Sequence, residues 1–197
     1  MAATKVWTID GEEKTRESLL KIAYLCNNAK FVEGQYKGDP TETALLKYAR
    51  EAIGDVTAER LSEIPFDSER KRMTTVHKVK SEKLKVKSEE TEKLLTLNSQ
   101  LSTLNYVSFT KGALESMLPL CTHILINEEK MPVNEKMKEK IMNAYHSMMD
   151  KGLRVLAFAY KEIDDSYKFP PSAGSPEAKK VKSEKLENPE LESDMVF

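Results

Sequence analysis

The sequence is poor in cysteine and histidine. Its two cysteines, Cys26 and Cys121, are far apart and lack the CxxC spacing of structural zinc sites. Its three histidines, His77, His123 and His146, include no pair at metal-ligand spacing. These shortages argue against a disulfide scaffold and a resident metal, and they are typical of a reducing compartment.

Long apolar runs are also missing. The longest, Val155 to Tyr160, is far shorter than the roughly 18 residues that a membrane span requires, and the N-terminus has no apolar signal-peptide region. We therefore expect no direct membrane contact. The last residues, ESDMVF, are typical of a strand within a longer protein.

No charge of either sign dominates. The 197 residues include 31 Lys and Arg against 32 Asp and Glu, a net charge of -1, which argues against nucleic acid as the partner. A chain of this length buries roughly 70% of its unfolded surface, which is enough for one sizeable core. Length thus favours a single domain over residues 1–197.

Common catalytic motifs are absent as well. The sequence contains no GxxxxGK[ST], GxGxxG or HExxH segment, which counts against a self-sufficient kinase or ATPase. Cys121 and His123 lie close enough in sequence to suggest a nucleophile with its base. No orienting acid accompanies them, so a packed or half-exposed histidine is the favoured interpretation.

Local signals predict helices separated by short strands. The clearest helix begins with Asp39 as N-cap, Pro40 at its first position and Glu42 at its third, and it ends at Gly54. Its predicted buried residues are Leu45, Ala49, Ala52 and Ile53. Other predicted helices cover about 12–28, with Asp10 as cap and Cys26 in the core, 113–121, and 134–151.

Alternating segments predict strands that arrive largely as hairpins. They cover 61–66, 71–79, 106–111, 123–127 and 153–160, with a polar turn at 67–70 between the first two. Strict strand-helix alternation is absent, so the expected fold is α+β, with helices flanking a mainly antiparallel twisted sheet. Two stretches, about 80–104 and 168–191, share the string VKSEKL and predict solvated inserts, either extended or partly disordered.

Two cations stand on apolar faces of predicted strands. Lys111 shares a face with Val107 and Phe109, and Arg154 shares one with Leu156. Such cations either reach back to solvent or bind an anion. Phe66, beside the basic run at 70–72, supplies a ring for stacking next to positive charge, a combination that suits a nucleotide.

Four segments resemble, in order, the signature segments of the nucleotide-binding (N) domain of P-type cation-transporting ATPases. They are GDPTETALL at 38–46, PFDSERKRM at 65–73, FTKGALE at 109–115 and GLRVLA at 152–157. CNNA at 26–29 fits too, and GDPTE and FDSERKRM are most similar to calcium-type pumps. Leu114 departs from the pattern, because the family usually has proline there.

The resemblance implies a role for seven residues. Phe66 would stack on adenine, and Glu42 would accept a hydrogen bond from its amine, although the position of Glu42 in the helix alone predicts a capping role. Lys71 and Lys111 would line the pocket toward base and phosphates. The remaining three are Gly112, which would allow close backbone approach, and Arg154 with Leu156, which would close the phosphate and ribose side.

The resemblance also implies that the chain is one part of a pump. The DKTGT segment with the phosphorylated aspartate does not occur in this sequence. ATP is therefore the expected ligand, presented to an aspartate of the phosphorylation domain, which would also supply most of the Mg²⁺ site. The expected location is the cytoplasmic side of a membrane.

Taken alone, the chain is expected to be a monomer that binds ATP without hydrolysing it. Its partners would be ATP and the phosphorylation and actuator domains of the same pump. The alternative is a non-catalytic protein-interaction module, in which the Lys/Glu-rich inserts bind a partner and the cations are ordinary surface.

Overall fold

The computed structural model describes residues 6–9, 11, 13–79, 106–127, 129–163 and 190–197. The predicted insert at 80–104 and nearly all of the one at 168–191 lie outside these ranges, as does Asp10. All helices, strands and side-chain contacts given for this structure lie within these ranges.

A seven-stranded sheet dominates the described chain, and a separate hairpin, β1 (Lys30–Val32) with β2 (Gln35–Lys37), precedes it. The sheet strands are β3 (Glu59–Asp67), β4 (Arg72–Lys78), β5 (Tyr106–Gly112), β6 (Cys121–Ile126), β7 (Glu129–Pro132), β8 (Ala157–Ile163) and β9 (Met195–Val196). Their order in the sheet is β3-β4-β5-β8-β9-β6-β7. Neighbouring strands are antiparallel except for β6 and β9.

Helices accompany the sheet at irregular intervals along the chain. They are α1 (Glu13–Leu25), α2 (Pro40–Ile53), the short α3 (Leu114–Met117), which runs into a 3-10 turn (Leu118–Leu120), and α4 (Glu135–Met149). Together with the mainly antiparallel sheet, they confirm the predicted α+β fold. None of the helices in the described ranges is long and apolar enough to cross a membrane.

Helix α2 begins and ends where its sequence predicts. The Asp39 carboxylate accepts hydrogen bonds from the backbone N–H groups of Thr41, at 2.8 Å, and Glu42, at 3.4 Å. Pro40 occupies the first turn, where its missing N–H costs nothing. Gly54 ends the helix with a φ of +76°, which glycine adopts without strain.

The buried face of α2 differs from the predicted one. Its buried residues are Ala44, Leu46 and Ala49, whereas Ala52 is exposed. The predicted Leu45 and Ile53 are only half-buried. Glu42 points inward to a lysine of the sheet, and positions four and seven residues later share its face, so Leu46 and Ala49 follow it.

The strand predicted at 153–160 begins later than expected. Strand β8 starts at Ala157, which pairs with Gly112 at the end of β5. Residues 153–156 precede this pairing and have no regular structure. The prediction that Arg154 shares a strand face with Leu156 was therefore wrong. Strand β5, the partner of β8, ends at Gly112, so residues 153–156 lie beyond the end of the strand pairing.

The two faces of the sheet are covered differently. On one face, Cys26 of the segment after α1 is fully buried with Ile22 and Met73, which confirms its predicted core position. Burial raises the pKa of the Cys26 thiol. On the opposite face, Ile64 and Val76 pack against the buried Leu191, so the last described segment covers the sheet from behind.

His77 of β4 is a buried imidazole, with 2% of its surface exposed. Its Nε2 lies 3.0 Å from the Thr75 hydroxyl, and burial, aided by the charge of Arg60, lowers the pKa of His77 to about 4. The His77 imidazole therefore becomes protonated near pH 6.5 in the unfolded chain but only near pH 4 in the folded chain.

We expect the free energy of unfolding to fall by about 3 kcal/mol as the pH drops from 6.5 to 4, because of His77 alone. Denaturant unfolding across this range measures the total fall, to which acidic groups with a lowered pKa such as Glu192 also contribute, and His77→Gln should reduce it by about 3 kcal/mol. The exposed His146 on α4 supplies the control, His146→Gln, which should keep the wild-type dependence. An unchanged slope in His77→Gln would contradict the assignment.

Candidate functional site

Four chain segments meet at one edge of the sheet. The antiparallel register places Arg72, at the start of β4, opposite Gly112, and Gly112 opposite Ala157. The β3-β4 turn, the end of β5 and the start of β8 therefore lie side by side. The first turn of α2 joins them through Glu42, which reaches Lys111 of β5.

The turn between β3 and β4 presents a ring and a cation. Asp67 organises it: its side chain accepts from the N–H groups of Glu69 and Arg70, at 2.8 and 3.0 Å, and its carbonyl accepts from the Lys71 N–H at 2.7 Å. Phe66, just before the turn, is 62% exposed, and Lys71 is exposed as well. An exposed phenylalanine at the same turn as an exposed lysine suits ligand stacking better than a core role.

Gly112 brings the end of β5 against this turn. A Cβ at position 112 would lie 2.6 Å from the Lys71 carbonyl oxygen and 2.6 Å from the Arg72 Cβ, closer than real Cβ atoms approach. The next residue, Ala113, donates its N–H to the Lys71 carbonyl at 3.0 Å. Glycine is therefore needed for contact with the protein's own turn, and it holds the backbone of Lys71 in place.

The Leu114 departure from the family pattern has a structural consequence. Leu114 is the first residue of α3, a position where proline is also tolerated. Its side chain is 3% exposed and belongs to a core cluster with Met117 and Ile124. Leucine at this position thus adds a core contact at the start of the helix.

Lys111 and Glu42 form an ion pair at the centre of the site. The Lys111 Nζ donates to the Glu42 Oε1 at 2.5 Å, and Lys111 as a residue is only 7% exposed. The sequence left two alternatives for Lys111: it could reach back to solvent or bind an anion. In the structure it binds an anion, the Glu42 carboxylate of the protein itself. A cation so buried requires such a partner.

The segment after α1 holds Glu42 in position. Asn28 donates its backbone N–H to the Glu42 Oε2 at 3.3 Å, and Asn27 donates its side-chain amide to the Glu42 carbonyl at 3.0 Å. Arg60 in turn binds the Asn28 side chain at 2.6 Å. The Glu42 carboxylate therefore faces Lys111 and Asn28, and the capping role predicted from its helix position is not the one it has.

Arg154 and Leu156 reach the same edge from the segment before β8. Arg154 is exposed and lies near the first turn of α2: the pKa of Asp39 is lowered by the hydrogen bond from Thr41, and the Arg154 charge adds to this effect. Leu156 is half-buried beside Ala157, the partner of Gly112. Arg154 thus brings a positive charge to the start of α2.

A cavity of about 390 Å³ lies behind this segment, between α1, α2 and α4. Arg154 and Leu156 line it, together with apolar residues such as Leu45 and Leu153. Phe66, Lys71, Glu42, Lys111 and Gly112 do not. The cavity therefore overlaps the predicted site at Arg154 and Leu156 and leaves out its other five residues.

Cys121 and His123 do not form a nucleophile with its base. Burial raises the pKa of the Cys121 thiol to about 12, and its Sγ donates to the Met117 carbonyl. His123 lies 3.0 Å from the Thr122 hydroxyl instead. In the described part of the chain, no group of three His, Cys, Asp or Glu residues could hold a metal ion.

Residues 15–197 match the family described as "P-type ATPase, cytoplasmic domain N". The chain belongs to this family, which confirms the resemblance read from the four segments and the cytoplasmic location it implied. The match also agrees with the α+β architecture.

Several cation pumps are similar over most of this chain. A calcium-transporting ATPase 1 from Bacillus cereus is 35% identical over 153 residues, which is 75% of this chain and 15% of the pump. A sodium/potassium-transporting ATPase subunit alpha from Tetronarce californica is 35% identical over 167 residues, or 78% of this chain and 14% of that protein. The chain thus spans about a seventh of such relatives.

The ion pair predicts a specific stability pattern. Because Glu42→Gln leaves the buried Lys111 without a counter-charge, we expect the free energy of unfolding to fall by about 3 kcal/mol, more than the ~1 kcal/mol of a lost helix cap. The double variant Glu42→Gln/Lys111→Met should regain most of it. Denaturant unfolding measures both changes.

The control for this pair lies on the same helix. Glu51 forms a surface pair with Lys47 in which both side chains are about 60% exposed, so Glu51→Gln should change the stability by less than ~0.5 kcal/mol. Additive losses in the Glu42/Lys111 double variant would contradict the coupling.

Proposed function

We propose that this chain binds ATP at the edge formed by the β3-β4 turn, the end of β5 and the start of α2, and that in a complete pump it presents the γ-phosphate to an aspartate of another domain. The observation that carries the proposal is the exposed Phe66 at the same β-hairpin turn as the exposed Lys71, a turn that packs closely against Gly112 of β5. The family match supports the same ligand.

The chemistry of the site suits the two ends of ATP. Phe66 supplies a face for stacking the base, and Glu42 can accept from the adenine amine because each carboxylate oxygen has more than one lone pair. Lys111, too buried to reach far, holds the Glu42 carboxylate in its orientation. Lys71 and Arg154 are exposed cations, which suits the phosphates.

Hydrolysis belongs to the complete pump in this proposal. The DKTGT segment does not occur in the sequence, and the described residues hold no cluster of acids suited to a divalent cation. The chain's own residues would bind and orient the nucleotide only. Mg²⁺, when bound with ATP, would offset phosphate charge with help from the other domain.

The transported ion is a finer part of the proposal. We propose a calcium-type pump because GDPTE and FDSERKRM most resemble that group, and because calcium-transporting ATPases are among the relatives. Sodium/potassium-transporting and potassium-transporting ATPases match over similar lengths. Ion-dependent ATPase activity of the complete pump would test this assignment.

Amide NMR during an ATP titration tests the binding proposal. We expect weak binding, with a Kd between about 0.1 and 1 mM, and shifts concentrated at Phe66, Lys71, Lys111 and Arg154. The absence of shifts at millimolar ATP would contradict nucleotide binding and favour the protein-interaction module. Steady phosphate release by the purified chain, abolished by a variant of this chain, would contradict the domain assignment.

Phe66→Ala should weaken ATP binding by about 1–3 kcal/mol, the range measured for a base stacked on an aromatic ring. Because the ring is 62% exposed, the fold and the melting temperature should change little. Isothermal titration gives the affinity, and thermal unfolding gives the stability.

Phe31→Ala is the matched control, since Phe31 is also exposed but stacks on Arg50 toward the other end of α2. It should leave the ATP affinity unchanged. Outright unfolding of Phe66→Ala would show instead that Phe66 is a core residue.

A further inference from the structure

Glu192 is a buried carboxylate on the back of the sheet, with 5% of its surface exposed. Both of its oxygens lie 2.7 Å from the Arg70 Nη1. Oε1 also accepts from the Thr74 hydroxyl, and Oε2 from the Arg72 Nε, each at 2.7 Å. Burial raises the pKa of Glu192, but the hydrogen bonds from Arg70, Thr74 and Arg72 outweigh it and lower the pKa overall.

Arg70 and Arg72, which bind Glu192, also hold the backbone of the turn that carries Phe66 and Lys71. Arg70 uses its second nitrogen, Nη2, to bind the Pro65 carbonyl at 2.8 Å, directly before Phe66. Arg72 donates through Nη1 to the Arg70 carbonyl at 3.2 Å. The residues on either side of Lys71 are thus held by one carboxylate.

The segment that carries Glu192 is itself anchored to the sheet. Leu191 is 1% exposed in the core on that face, and its carbonyl accepts from the Ser108 hydroxyl at 3.2 Å. Lys161 donates to the Glu190 carbonyl at 2.6 Å. Further along, Met195–Val196 form β9 inside the sheet. The backbone that carries Glu192 is therefore anchored to the sheet, and its carboxylate can hold the turn in place.

We propose that Glu192 is a positioning residue for nucleotide binding: through Arg70 and the Pro65 carbonyl it fixes Phe66 in the orientation that stacks on the base. This inference rests on the proposed function, because it assigns Glu192 a role in that same site. Loss of the carboxylate would leave two guanidinium groups on either side of Lys71 without their shared counter-charge. Repulsion would then open the turn.

A positioning role for Glu192 and a simple effect of its charge predict opposite changes in ATP affinity when Glu192 is neutralised. Neutralising Glu192 makes the surroundings of the turn more positive, and a more positive field attracts the ATP anion more strongly. A positioning role instead weakens binding, because Phe66 loses its fixed orientation and must be ordered when the ligand binds. The direction of the change in affinity thus separates the two effects.

Isothermal titration of Glu192→Gln in the full 197-residue chain is the test, well below its melting temperature. We expect Kd to rise about tenfold for ATP, the lower end of the effect of removing a supporting contact behind a binding group. A comparable rise is expected for adenosine, which has the base but no phosphates. Affinity equal to or tighter than wild type, or a loss confined to ATP, would overturn the proposal.

Two further variants test whether the change in affinity is specific to the Glu192 contacts. Glu190→Gln removes an exposed carboxylate from the same segment and should leave both affinities unchanged. Adding Arg72→Gln to Glu192→Gln removes one of the opposed cations and should restore part of the affinity, whereas a purely structural role predicts no recovery. No recovery would count against the proposal.

A third variant covers the case in which Glu192→Gln does not fold. Arg70→Gln alone is then measured, because Arg70 carries the contact from Glu192 to the Pro65 carbonyl, with at least about a threefold loss for adenosine expected and an unchanged Kd overturning the proposal. The wild type separates this test from that of the proposed function. If it does not bind ATP, both proposals fail, whereas wild-type binding that Glu192→Gln leaves unchanged overturns only the positioning role.

Discussion

The ion pair between Glu42 and Lys111 is the interaction on which the arrangement of the site depends. It joins the first turn of α2 to the end of β5 across a largely buried contact of 2.5 Å. A buried lysine requires a partner, so the pair fixes which face of α2 turns inward. Leu46 and Ala49 then become the packed residues. The helix start is thereby joined to the end of β5, which pairs with the start of β4 just after the turn.

A second constraint works from the opposite face of the sheet. Gly112 allows the β3-β4 turn to lie against β5, and Glu192 holds the arginines of that turn from behind. The exposed groups of the site are therefore supported by buried ones. Such support is what keeps a binding surface ordered before its ligand arrives, which lowers the entropy lost on binding.

Local signals predicted much of the fold and part of the site. Asp39 and Pro40 define the start of α2 because capping depends on adjacent residues, and the 67–70 turn depends on Asp67 in the same way. The partner of Glu42, the late start of β8 after Arg154 and the contacts of Glu192 depend on segments far apart in sequence. No local pattern reports such contacts, although CNNA in the resemblance pointed to the residues that hold Glu42.

The most direct test of the account is an intermolecular NOE experiment with ATP bound to the chain. If the nucleotide binds at the sheet edge, the adenine protons should show NOEs to the Phe66 ring. NOEs to Leu45 and Leu153 instead would place the base in the apolar cavity behind Arg154. That result would contradict the claim that the β3-β4 turn is the nucleotide platform.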